Sequence, residues 1–144
     1  MKRLLYALPI VLGLAAGCSK TEDIPPPVQP QGAFSGTFLK LRNPRVVNSK
    51  QVWDTTKINL NLTLTGNNFA VTGDTTKHAG SKGPFAYDGA YMQFQDATVP
   101  ANTKDITKLP KIHLAGIFRY QYDGTRLQVL AQTDTLVHFY DLKK

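Results

Sequence analysis

The chain is poor in the residues that most chemistry needs. It has one cysteine, Cys18, so it can build neither an internal disulfide nor a cysteine-ligated zinc site. Glu22 is its one glutamate, and strong helix formers are scarce beyond the first 17 residues. No apolar run reaches the roughly 20 residues of a membrane-spanning helix. His78, His113 and His138 stand far apart, with no His-x-His or His-x-x-x-His spacing, so no metal site is read from them. None of the four serines sits in a Gly-x-Ser-x-Gly elbow, and there is no phosphate loop or dinucleotide fingerprint. The aspartates fall mainly at turn positions, which does not point to the converging carboxylates of a glycosidase. The expectation is a protein that is not an enzyme and carries no metal or cofactor. An enzyme would need His113 or His138 beside a carboxylate in an open cleft.

What is present begins with an address. Met1-Lys2-Arg3 is basic, and Leu4 to Ala16 is apolar apart from Pro9 and Gly13, the length of a signal-peptide core. It ends in Leu14-Ala15-Ala16-Gly17-Cys18. Small residues before a single Cys resemble the bacterial lipoprotein box, with Ala15 where a Leu is usual. That resemblance implies cleavage before Cys18 and lipidation of Cys18, palmitate included, with the membrane as a partner. Residues 1–17 are therefore read as a lipoprotein signal peptide. Their removal takes away Lys2 and Arg3 and lowers the formal charge from +7 by two, to +5.

Residues 18–32 are read as the lipidated Cys followed by a tether. Pro25, Pro26, Pro27 and Pro30 exclude helix and central strand there. Glu22 and Asp23 just after the Cys resemble the signal that sends lipoproteins of the Bacteroidota to the cell surface.

Residues 33–144 are read as one all-β domain. Ile58, Leu60, Leu62 and Leu64 alternate with polar residues, a strand with one buried face. Gly66-Asn67-Asn68 turns it into Phe69–Thr72. Pro84–Tyr87 and Ala90–Gln95 flank an Asp88-Gly89 turn. Ile112, Leu114, Phe118, Tyr120 and Tyr122 share a parity, and Asp123-Gly124 leads into Leu127–Gln132. Leu136–Leu142 closes the series. The opening strand, Phe34 to Leu41, has a muddled parity that points to a bulge. The count is roughly eight antiparallel strands in an up-and-down meander, closed as a barrel or, alternatively, folded as a β-sandwich. Three long links remain: Asn43–Thr56, Gly73–Gly83 and Asp96–Lys111.

Phe34-Ser35-Gly36-Thr37-Phe38 resembles the Gly-x-Trp opening of calycin barrels, with Phe38 in the Trp position. With the leader, the tether, the Gly-Asp-Thr-Thr turn at 73–76 and the strand order, the domain is similar to small lipocalin-like lipoproteins of Bacteroidota. Lipocalin Thr-Asp-x-x-Tyr is not kept at Thr133-Asp134. The resemblance implies a lipid-anchored protein of the outer membrane, on its periplasmic face or at the cell surface. Its barrel would bind a small lipophilic or glycan ligand. An eight-stranded barrel can just hold one, and the residues expected to line its pocket are Phe38, Leu60, Leu62, Phe94, Phe118, Tyr120 and Tyr122. Asp54-Thr55, Asp74-Thr75 and Asp134-Thr135 resemble the O-glycosylation motif of the same bacteria, which makes Thr55, Thr75 and Thr135 candidate sites. The alternative is a protein–protein module, a hydrolase inhibitor or an accessory subunit of an envelope complex, working through its loops and a basic surface at Arg42, Arg45 and Lys50. Aromatics are not interleaved with these charges, so nucleic acid is not expected as a partner.

Overall fold

A computed structural model describes residues 28–144. The signal peptide, Cys18 and most of the proline tether lie outside the described residues. Eight antiparallel strands follow one another: β1 (Gly32–Val47), β2 (Lys50–Thr65), β3 (Asn68–Gly73), β4 (Lys82–Asp88), β5 (Tyr91–Phe94), β6 (Gly116–Tyr122), β7 (Arg126–Gln132) and β8 (Leu136–Lys143). Each pairs with the next, and β1 also pairs with β8, so the meander closes into a barrel. The sandwich alternative is thereby excluded.

Closure hides one face of every strand, and the period-two pattern supplies that face. Phe34 and Phe38 of β1, Ile58, Leu60, Leu62 and Leu64 of β2, Phe69 and Val71 of β3, and Met92 and Phe94 of β5 are all buried. Phe118, Leu127, Val129, Tyr140 and Leu142 complete the ring. The rings touch in sequence: Phe69 to Phe94 at 5.0 Å, Phe94 to Phe118 at 5.7 Å, Phe118 to Tyr140 at 6.1 Å and Tyr140 to Phe38 at 4.5 Å. This aromatic chain fills the interior from wall to wall.

Two expectations about the first strands need correction. Asn43–Thr56 is not a loose link. β1 and β2 run on through it as a long hairpin, turned at Asn48 (φ 51°) and Ser49 (φ 60°). Two successive left-handed residues make the tight turn that suits a twisted hairpin. The stretch hid its strands because β1 and β2 there no longer line the core and carry no alternating apolar face. No bulge interrupts Phe34–Leu41, whose pairing is continuous with both neighbours; the irregularity comes later, as a register shift between Arg42 and Arg45 with Asn43 at φ 52°. A further difference is that Ile112 and Leu114 belong to the link before β6, which starts at Gly116.

In an up-and-down barrel, alternate connections fall at the same end. Turns at 66–67, 89–90 and 123–125 are short and share the end where the chain comes in at Gly32. There Gln31 clamps the first of them, its side chain bonding both the Gly66 carbonyl (3.0 Å) and the Gly66 N–H (3.1 Å). The hairpin extension, the 74–81 link, the long 95–115 link and the 133–135 turn crowd the opposite end.

Candidate functional site

At that crowded end two links lace together. The Ala79 N–H donates to the Ile112 carbonyl at 2.7 Å, and the Ile112 N–H donates to the Lys77 carbonyl at 2.9 Å. The Leu114 N–H donates to Ser81 Oγ at 3.0 Å. The lace covers part of the mouth and buries two polar side chains, His78 and Ser81. A cavity of about 390 Å³ remains between the lace, β1 and β8. That is the size of a small-molecule pocket.

Its walls are of two kinds. Ile106, Leu109, Pro110, Ile112, Ala115 and Leu136 give an apolar surface, much of it from the 95–115 link. That link is held in shape by a short 3-10 turn, Ile106–Lys108, whose start is capped by the Asp105 carboxylate accepting from the Thr107 N–H (2.9 Å). Lys40, Arg42, Lys77 and Lys111 also line the cavity, and no carboxylate does. Burial, and then the charge of Arg42, lower the pKa of Lys40 from its ordinary value.

The three histidines converge here after all. His78 is fully buried: its Nδ1 donates to the Ala79 carbonyl (2.6 Å), so its Nε2 accepts from the Tyr140 hydroxyl (2.9 Å). Burial lowers the His78 pKa and keeps the ring neutral, and burial raises that of Tyr140. His113 Nδ1 bonds Asp96 Oδ2 at 2.8 Å. Asp96 in turn accepts from the Thr98 N–H (2.8 Å) and hydroxyl (2.6 Å). Burial works to raise the Asp96 carboxyl, but the bonds from Ser81, Thr98 and His113 outweigh it and hold it below the usual range. His138 lies across the β1–β8 ladder from Lys40. Burial first, then the charge of Lys40, pushes its pKa down to about 4. Its Nε2 is buried with no hydrogen-bond partner.

His113 beside Asp96 in a cavity wall is the arrangement an enzyme would need. No serine lines the cavity, however, and Ser81 is buried and already engaged. Among the described residues no group of three His, Asp, Glu or Cys could hold a metal ion. The cationic lining can hold an anion; among the described residues the site offers no serine or cysteine nucleophile for covalent catalysis.

The residues singled out from the sequence are distributed as follows. Phe38, Leu60, Leu62, Phe94 and Phe118 pack in the filled interior and do not line the cavity. Tyr120 and Tyr122 are half-buried and line open grooves toward the other end. The Tyr122 hydroxyl is engaged, donating to the Gly124 carbonyl at 2.7 Å. Thr55, Thr75 and Thr135 are exposed, and Thr135 lines the cavity. The Asp74 carboxylate holds the N–H and hydroxyl of Thr76, not Thr75. The same Asp-x-Thr turn recurs at Asp96, Asp105 and Asp123, where the carboxylate takes both donors of the Thr two places on. The basic trio divides: Arg42 lines the cavity, Arg45 pairs with Asp54 at 3.2 Å, and Lys50 opens β2 at the tip of the hairpin.

Sequence reasoning missed Lys40, His78, Ser81, His113 and His138 as a group. One signal was available: β1 keeps its inward parity from Phe34 and Phe38 to Lys40 and Arg42, so the core face turns cationic at the mouth. No family model, no curated protein and no solved structure matches this chain.

Proposed function

We propose that the protein is a lipid-anchored, non-enzymatic component of a bacterial outer membrane, on its periplasmic face or at the cell surface. Its lipocalin-like barrel binds a small lipophilic or glycan ligand. The leader and Cys18 support the anchor, and the resemblance to lipocalin-like lipoproteins of Bacteroidota supports the setting. The observation that carries the binding role is the cavity of about 390 Å³ at the barrel mouth, part apolar and part polar, with four cations and no carboxylate in its lining. Because aromatic side chains fill the interior, the ligand sits at the mouth and not deep in the barrel.

The chain taken from its own host and measured by native mass spectrometry should carry extra mass that leaves on denaturation. A bare mass moves the assignment to the second reading, a protein–protein module. The β1–β2 hairpin favours that reading: Val46 is 76% exposed, Val47 47% and Val52 37%, beside Arg45 and Lys50. The anchor has its own check. Cys18→Ser should leave the chain unlabelled by radioactive palmitate and move it out of the membrane fraction, since acyl chains supply the binding. Continued membrane retention without label would remove the anchor from the proposal.

A further inference from the structure

The inward face of β1 is apolar at Phe34 and Phe38 and then cationic at Lys40 and Arg42. Lys40 is half-buried there and loses hydration, whereas Arg42, Lys77 and Lys111 are exposed; a charge that loses hydration is normally compensated by a carboxylate. Here none lies within 4.0 Å of Lys40, Arg42, Lys77 or Lys111 among the described residues. Across the ladder from Lys40, the buried His138 Nε2 has no partner either. That atom is closed off from the cavity, so an anion oxygen seated at the mouth would meet Lys40 and Arg42, with the His138 ring in the wall beside them.

The opposite wall is apolar, at Ile106, Leu109 and Leu136. A ligand that satisfies both walls has a charged head and a compact apolar body.

From these observations we infer that the mouth cavity takes a small organic acid, its carboxylate held by Lys40 and Arg42 beside the His138 ring. This rests on the small-ligand reading above and narrows it to one chemical class.

The test uses the full chain in zwitterionic-lipid nanodiscs and follows the ring signals of His138 and His113 by NMR. Three probes are titrated: phenylacetate, its uncharged analogue phenylacetamide, and inorganic phosphate. Phenylacetate should shift the His138 signals saturably and bind about tenfold or more tightly than phenylacetamide. Arg42→Gln should abolish that advantage while leaving phenylacetamide unaffected, and Lys40→Met should act alike if Arg42→Gln perturbs the fold. Equal binding of phenylacetate and phenylacetamide overturns the acid and leaves the small-ligand reading intact. Phosphate binding as tightly as phenylacetate overturns the apolar body. No shift with any of the three overturns the inference, and the native mass then decides separately whether the small-ligand reading stands.

Discussion

Gly36→Ala is expected to cost about 3 kcal/mol or more, a large part of the 5–15 kcal/mol that holds a typical domain together. Gly36 is on the inward face between Phe34 and Phe38, paired with Leu60 on one side and Leu142 on the other. A Cβ there would lie far inside the 3.0 Å that real Cβ atoms keep from the Asp141 carbonyl oxygen, and about 3.0 Å from the Leu142 Cα. Both are backbone, so no side chain can turn aside. The clash falls on the β1–β8 seam, the one pairing that turns a meander into a barrel. Gly89→Ala is the control: nothing lies within 4 Å of its Cβ, and a change within about 0.5 kcal/mol is expected. Urea unfolding of both variants measures the difference. If Gly36→Ala unfolds at the same midpoint as Gly89→Ala, β8 does not cross β1 this closely.

Mild acid is expected to have an effect of similar size. His138 binds its proton near pH 6.5 in the unfolded chain and near pH 4 in the folded one. His78 is shifted in the same direction. Both folded values are depressed, so the unfolded state takes up protons first as pH falls. Stability is therefore full above about pH 6.5 and declines as pH drops toward 4. The His138 shift alone is worth up to about 3 kcal/mol. His78 adds a structural reason: once protonated, its Nε2 can no longer accept from the Tyr140 hydroxyl, and two donors face each other in the core. The carboxylates do not account for a loss in this window. Asp123, held at about 2 by the N–H groups of Arg126 and Thr125 and the Thr125 hydroxyl, withdraws its share only below pH 4. The urea midpoint followed from pH 7.5 to 4.5 should fall steadily, and His138→Phe should flatten part of the slope. A level midpoint down to pH 4.5 would mean that the histidines are not buried as described.

The pattern at Ile58–Leu64 shows how much of the fold could be read from the residues. Alternation of apolar and polar side chains states that one face is hidden, and the Asp-Gly and Gly-Asn turns state where the chain reverses. Eight such segments with short turns leave few topologies. The same logic failed over Asn43–Thr56, because strands that project beyond the core bury nothing and so carry no pattern. It also placed the pocket in the core: Phe38, Leu60, Leu62, Phe94 and Phe118 have the right parity, but parity cannot tell a filled interior from a hollow one. That difference depends on whether aromatic rings from strands that do not pair meet across the interior, as Phe118 of β6 and Tyr140 of β8 do at 6.1 Å.

The sequence by itself determined the all-β class, the strand order, the buried face of most strands and two of the long links, those before β4 and β6. These are local properties, set by side chains within a few residues of one another. Only the tertiary structure decided that β1 meets β8 across Gly36, that alternate connections gather at one end, and that His78, His113 and His138 come together there. Those three residues are separated by up to 60 positions, and nothing in their spacing encodes the closure that unites them. The cationic mouth follows from that same closure. Lys40 and Arg42 read as surface charges along the chain, and only the ring of strands sets them with His138 around one cavity.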